Sequence, residues 1–338
     1  MRLELIKLLN IFFVGFVLLT SQAFGQGAWV APKGTGSISI SYLNDFSNLD
    51  YFGKGEHYID VPGLGRATYF GDNRTQGIFF DFSYSFTDKL SLSASIPFLA
   101  AKYTAPPLDQ QVNAIVAPHV FADGSIPLDD GNYHGNFQDL GLRLKYNISS
   151  SPLVITPYIE VGLPSNDYPF FSHAIVGSNL RSLGIGLYMG RTLDPFLPNT
   201  FLSGRYGYAW DEKVLGISRS RHVGELEAGY FVTSSMTAFM ILVGQFTNGG
   251  LDGPNDFAGP GIGPADTTNP LFFHHTQIAR ENYLNVGLGG QYSLNERFAL
   301  FGVVTRMLAA RNLHGLTYGV NFGFSWSFGG SPQRPCHC

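Results

Sequence analysis

"GLTYGVNFGFSWSF", residues Gly315 to Phe328, decides how this chain is read. Large apolar side chains take every second position: Leu316, Tyr318, Val320, Phe322, Phe324, Trp326 and Phe328. Small or polar residues fill the places between. Strict alternation marks an extended strand, because successive side chains point to opposite faces. At 14 residues, the strand is far longer than the roughly 5–6 usual in soluble sheets. Aromatics close both ends of the apolar row, as in a barrel wall whose outer face meets lipid.

The same alternation recurs along the chain. It runs through Gly34–Phe46, Gln76–Phe86, Leu90–Tyr103, Phe137–Ser149, Leu153–Pro164 and Leu180–Leu193. It continues through Thr200–Trp210, Ser218–Val232, Thr237–Phe246, Arg280–Tyr292 and Phe298–Ala309. With 315–328 the count is about twelve strands. Tight turns rich in Ser, Asp, Asn or Pro follow the even-numbered strands. Long connections follow the first, third, fifth and ninth, at 47–75, 104–136, 165–179 and 247–279, while 211–217 and 310–314 are short. Outer-membrane barrels carry this asymmetry, with short periplasmic turns and longer external loops. The expected fold is all-β, a transmembrane antiparallel up-and-down β-barrel of about 12 strands. Every strand then has a neighbour on both sides, so the backbone can sit in hydrocarbon.

Composition agrees. Of 338 residues, 14% are charged, against about 25% in a soluble domain. A net charge of -4 argues against nucleic-acid binding through a basic surface. Near the N-terminus, Arg2 and Lys7 precede an apolar stretch, Leu8–Leu19, and then Ala23-Phe24-Gly25. That stretch of about 12 residues is short of the roughly 20 that a spanning helix needs, so a secretory signal peptide is expected rather than an anchor. Cleavage is expected after Gly25, with Ala23 as second choice. The domain reading is 1–25 signal peptide, 26–328 outer-membrane barrel and 329–338 flexible tail. The location is the outer membrane of a Gram-negative type cell. Cys336 and Cys338 lie in that tail. Three ligands in a flexible tail leave a metal site incomplete, so no metal or cofactor is expected. Nor is a plug domain expected before the first strand.

Extended to the polar face, the parity gives an inward set: Asp81, Asp139, Arg143, Lys145, Glu160, Arg205, Glu225, Glu227 and Arg306. Hairpin arithmetic puts Arg205 opposite Glu225 and Arg143 diagonal to Glu160. These residues are either structural ion pairs or the lining of a permeation path. Inward glycines (184, 186, 190, 287, 289, 319 and 323) are expected to leave room in a narrow lumen. Two loop stretches, Ala105–Phe121 and Asn269–His275, are apolar for external segments. They either fold over the mouth, favouring apolar or aromatic ligands, or pack only on each other.

"FQDLGLRLKYNI" (Phe137–Ile148) followed by "ITPYIEVGLPSND" (Ile155–Asp167) resembles the outer-membrane barrel family named for the MetA pathway of phenol degradation. The resemblance implies a transporter associated with aromatic or other hydrophobic compounds. The chain departs from common barrel practice in running ten residues past the final aromatic, Phe328. "GQFTNGG" (Gly244–Gly250) is similar to the His-x-Ser-Asn-Gly segment of outer-membrane phospholipase, but Gln245 and Thr247 stand in the places of the base and nucleophile. Glutamine cannot activate a hydroxyl as a general base, so no enzyme is expected. The paired His274 and His275 lack partners at metal-ligand spacing, and a solvated or aromatic-stacked role is expected. The functional expectation is a monomeric channel for small hydrophobic or aromatic compounds, embedded in outer-membrane lipid. The alternative is a structural or adhesive barrel whose external loops bind a ligand.

Overall fold

A computed structural model of the chain describes residues 27–51, 59–61, 65–67, 71–106, 128–253, 256 and 268–330. The expected signal peptide, the Cys336/Cys338 tail and most of 105–121 lie outside these residues. Among the described residues no helix is long and apolar enough to cross a membrane.

Twelve antiparallel staves close into a barrel. In chain order the wall strands are β1 (Gly36–Tyr51), β4 (Asp72–Ser85), β5 (Leu90–Thr104), β6 (His134–Phe137) with β7 (Leu140–Tyr146), β8 (Val154–Leu163) and β9 (Ser182–Thr192). They continue with β10 (Thr200–Asp211), β11 (Arg219–Phe231), β12 (Met236–Gly249), β13 (Asn282–Ser293), β14 (Phe298–Arg311) and β15 (Leu313–Phe328). A small hairpin, β2 (Ile59–Val61) and β3 (Gly65–Ala67), stands between β1 and β4. Each wall strand pairs with its chain neighbour, and β1 pairs with both β4 and β15, which closes the ring. The seam runs from Gly36 opposite Phe328 to Phe46 opposite Tyr318 without a break.

The fourth stave is split in two for an identifiable reason. Pro97 of β5 has no N–H to give its neighbour, which is why proline disturbs an interior strand. The adjoining strand breaks at Gln138 and Asp139, and the Gln138 N–H donates to the Pro97 carbonyl at 2.9 Å. Pairing resumes at Gly141 opposite Ser95.

The two faces of the wall obey the alternation. On β15, Tyr318, Phe322 and Phe324 are exposed outward, while Asn321 and Ser325 are buried. The same holds for Phe80 and Phe82 on β4 and for Leu300 and Val304 on β14. An apolar surface this extensive is foreign to a water-soluble monomer and normal for a transmembrane barrel. Short turns gather at one end (86–89, 147–153, 193–199, 232–235 and 294–297); the other end carries the long connections 52–71, 105–133, 164–181 and 250–281 together with two short ones, 212–218 and 312. Below, these are the turn end and the loop end.

Arg306 corrects the sequence reading. Alternation continues unbroken along β14, so Arg306 shares the exposed outer face with Leu300, Val304 and Leu308. Apolar residues on both faces at Val303 and Val304 had blurred the parity there. Phe301 and Val303 point inward in its place.

Candidate functional site

The lumen holds a ladder of alternating charge. Arg143 on β7 stands directly opposite Glu160 on β8, not diagonal to it. Its Nε and Nη2 donate to Glu160 Oε2 at 2.9 and 2.6 Å, and its Nη1 donates to the Tyr188 hydroxyl at 2.6 Å. On β10, Arg205 pairs in register with Glu225 of β11, as the hairpin arithmetic required. Its Nε lies 3.4 Å from Glu225 Oε2, and its Nη1 lies 3.9 Å from Glu160 Oε2. Lys145 is buried and donates from Nζ to the Gly27 carbonyl at 3.3 Å. Asp81 and Glu227 are buried within the barrel as well. Asp139 sits at the break between β6 and β7 and accepts from the Tyr168 hydroxyl at 2.5 Å. Eight of the nine expected residues thus take the inner side, and Arg306 does not.

How a carboxylate on β8 reaches an arginine on β10 is explained by β9. That strand points glycine inward at 184 and 186, and side chains of its neighbours lie across it. A Cβ on Gly184 would stand 2.8 Å from Glu160 Cγ, and one on Gly186 would stand 2.5 Å from the Tyr158 ring. The other glycines behave alike: Trp29 covers Gly190, Phe239 covers Gly289, and Ile241, Thr305 and Val303 crowd Gly287. Asp45 and Thr305 overlie Gly319, and Ser41 overlies Gly323. The inward glycines therefore do not open the lumen. They are seats for large side chains from adjacent strands, so the sectors of lumen beside them are filled.

At the turn end the segment ahead of β1 runs inside the barrel. Ala28 is fully buried against Val154, Tyr158 and Tyr188, with Trp29 packed beside it. The Thr156 hydroxyl donates to the Ala28 carbonyl at 2.6 Å. Trp29 meets Phe201 edge-on, with ring centroids 6.4 Å apart. No plug domain is needed for this narrowing; a few residues suffice.

At the loop end the connection between β8 and β9, residues 164–181, dips into the mouth. Val176 packs on Leu43, Phe79 and Leu99, and Ala174 on Ala101 and Tyr103. These are inward residues of β1, β4 and β5. The tip is held by buried Asp129, which accepts from the Ser172 hydroxyl and from the amides of His173 (3.1 Å) and Ala174 (3.0 Å). Burial first, then the Asp139 carboxylate, pushes the Tyr168 pKa upward, so its hydroxyl stays a donor.

The apolar stretch 269–275 joins this lid. Asn269 caps a short helical turn, Pro270–Phe273, by accepting from the Leu271 amide at 3.0 Å. Phe171 meets Phe273 at 4.9 Å, and Phe170 stacks on His274 at 5.1 Å. His275 stacks on Phe272, also at 5.1 Å. The two histidines are therefore aromatic-stacked, and 269–275 packs on the 164–181 loop at the mouth; how 107–121 relates to either lies outside the described residues. Among the described residues no cluster of metal-ligating side chains occurs.

A second polar network escaped the sequence reading. Asp211 accepts from Arg219 Nε at 2.9 Å and from Arg221 Nη2 at 2.6 Å, and Arg219 Nη1 lies 3.6 Å from Glu281. The signal was present, since Arg219 and Arg221 share the odd parity of Glu225 and Glu227 along β11. The hydrolase-like segment forms a structural contact. Thr247 is fully buried, and its hydroxyl donates to the Glu281 carbonyl at 2.6 Å while Gln245 Nε2 donates to Thr247 Oγ1 at 3.1 Å. Among the described residues no base addresses that hydroxyl.

Between the two narrowings lies a chamber of about 150 Å³. Arg143, Lys145, Glu160, Arg205, Asp81 and Trp29 contribute to its lining, along with a row of serines from β1, β4 and β5.

The sequence matches no family model and no curated protein. The fold is similar to that of an outer-membrane channel from Pseudomonas putida F1, at 12% identity and a TM-score of 0.63, covering 90% of this chain and 98% of that one. The β domain of the Bordetella autotransporter BrkA aligns over 88% of this chain and 100% of its own at 10% identity and a TM-score of 0.46. TodX, a monoaromatic hydrocarbon channel, aligns over 88% and 91% at 12% identity and a TM-score of 0.39. The class this defines is the closed twelve-stave barrel of outer-membrane type.

Proposed function

We propose that this protein is a gated outer-membrane channel for small aromatic or other hydrophobic compounds, set as a monomer in outer-membrane lipid. The observation that carries the reading is the chamber between two closures that are not part of the wall. The lid at 164–181 and the segment at Ala28–Trp29 rest on hydrogen bonds and side-chain contacts rather than on the sheet ladder, so each can leave without breaking the barrel. Aromatic and aliphatic groups dominate the way in: Phe170, Phe171, Phe272 and Phe273 in the lid, then Leu43, Phe79 and Leu99 on the wall. Small-molecule sites are mostly apolar with a few placed polar groups.

The test is single-channel recording of the purified protein in planar bilayers, beside a variant that unlatches the lid, Asp129→Ala. The native protein is expected to show rare, brief openings and the variant frequent ones, with both interrupted by a small aromatic such as benzyl alcohol. Silence from both proteins overturns the channel reading.

A further inference from the structure

The outer face of the wall carries a recognition surface of its own, separate from the lumen and independent of the channel reading. It lies on β1, β4 and β5 toward the loop end. Arg74 and Lys102 stand directly opposite each other across the β4–β5 ladder, on the outward parity of Phe80 and Phe98. Like charges so placed repel each other. Among the described residues no carboxylate comes within ion-pair distance of either cation. Two acids lie nearer the loops: Asp72, which has an interaction of its own, and Asp130, which is held by His134 at 2.8 Å. Each cation rests instead on a ring. The Arg74 guanidinium carbon is 5.0 Å from the centroid of Phe46, and Lys102 Nζ is 5.9 Å from that of Tyr133. An arginine stacked in this way keeps its N–H edge free for an anion.

The depth of the pair fixes the kind of anion. Arg74 lies ten residues beyond Tyr84 on β4, about 34 Å along the strand. At a tilt near 40° that is about 26 Å of depth, close to the height of the apolar band on barrels of this class. Their longer loops face the exterior, so the two cations sit where the headgroups of the external leaflet begin. The rows beneath them change character in steps. Asn44, Gln76 and Ala100 stand side by side one outward position lower, and Tyr42, Ile78 and Phe98 one lower again. Charge, then amides and a small group, then an apolar wall follows the order of a lipid's phosphate, its sugar or ester, and its acyl chains. The opposite side of the barrel lacks this order. Its belt at the loop end is built from Tyr206, Tyr208, His222 and Phe246, with no lysine or arginine among them. The polar atoms there meet one another, Tyr206 Oη with His222 Nδ1 at 2.6 Å and Asn248 Nδ2 with His222 Nε2 at 2.8 Å.

We infer that Arg74 and Lys102 dock the phosphate of a phosphorylated glycolipid in the external leaflet, with its acyl chains against Ile78, Phe80 and Phe98. A phosphate monoester brings a charge of about -1.5 to -2 and three acceptor oxygens. The Cβ atoms of directly opposed residues stand only about 5 Å apart, so one phosphate serves both cations and removes their repulsion. The amides of Asn44 and Gln76 lie at the level of the sugar.

Native mass spectrometry of the detergent-solubilised full chain tests this with three probes: diphosphorylated lipid A, the same lipid stripped of phosphate, and inorganic phosphate. Lipid A is expected to bind about tenfold or more tightly than either of the others, since one lacks the charge and the other the chains. Arg74→Gln combined with Lys102→Gln is expected to cut lipid A affinity about tenfold. Arg191→Gln, at an outward position near the turn end opposite Leu202, is expected to change it by less than about twofold. Should the double variant fail to fold, Arg74→Gln alone is expected to weaken lipid A severalfold. The inference is overturned if the phosphate-free lipid or inorganic phosphate binds as tightly as lipid A, or if no probe binds. It is equally overturned if the double variant (or Arg74→Gln in its place) keeps the native affinity, or if Arg191→Gln lowers it as much.

Discussion

The latch at Asp129 gives the sharpest prediction. Its carboxylate holds the lid tip through the Ser172 hydroxyl and the amides of His173 and Ala174. Asp129→Ala removes the acceptor and leaves two buried amides exposed to loss of their bonds. A buried group left unsatisfied costs about 1–3 kcal/mol. Water reaching the loosened tip offsets part of this, so about 3 kcal/mol for the set is a working figure, on the order of a hundredfold in the closed-to-open ratio. Asp129→Asn keeps a carbonyl acceptor but loses the charge, and roughly a tenfold change is expected. The assay is open probability from single-channel records at fixed voltage, with barrel integrity checked by heat-modifiable gel mobility. An Asp129→Ala protein that remains folded and whose open probability moves by less than about threefold would refute the latch.

Three further changes probe the interior and the wall. Arg143→Met strands Glu160 among buried groups, with Arg205 3.9 Å away as partial relief; the low end of the usual range for breaking a buried pair, about 3 kcal/mol, is expected in urea unfolding from vesicles. Adding Glu160→Gln to that variant should recover much of the loss, and failure to recover would show that the pair is not the cause. Gly186→Ala pushes a methyl group into the Tyr206 carbonyl and the Tyr158 ring, so a destabilisation of about 1–3 kcal/mol is expected in the same assay, of which Tyr158→Ala relieves only the ring's share. Arg306→Leu, on the outer face, should change stability by no more than about 1 kcal/mol, and a larger loss would place Arg306 inside after all.

Much of the wall was legible because a barrel strand writes its two environments in alternate letters. All twelve staves fall where the alternation put them, and the Arg205–Glu225 pairing followed from counting back from a turn. The split at Gln138 was not foreseen because its cause, Pro97, lies on a neighbouring strand. Arg306 was misplaced where both faces turn apolar, at Val303 and Val304. The glycines were misread because space beside a glycine depends on what leans over it, and Tyr158 and Phe239 belong to other strands. The inward course of Ala28 and Trp29, the Asp129 latch and the lid contacts are tertiary, many of them between residues a hundred or more positions apart, such as Asn73 Nδ2 donating to the His173 carbonyl and the Thr156 hydroxyl to the Ala28 carbonyl. No local pattern announces them.

The seam between β1 and β15 has a consequence for biogenesis. Its eleven unbroken pairs, from Gly36–Phe328 to Phe46–Tyr318, join the first stave to the last one made. A ribosome that stops before the final stave leaves two raw edges, and hydrocarbon tolerates neither. Assembly of this chain is thus a matter of completion. The last hairpin acts as the clasp, and a truncated copy has no smaller ring to settle into.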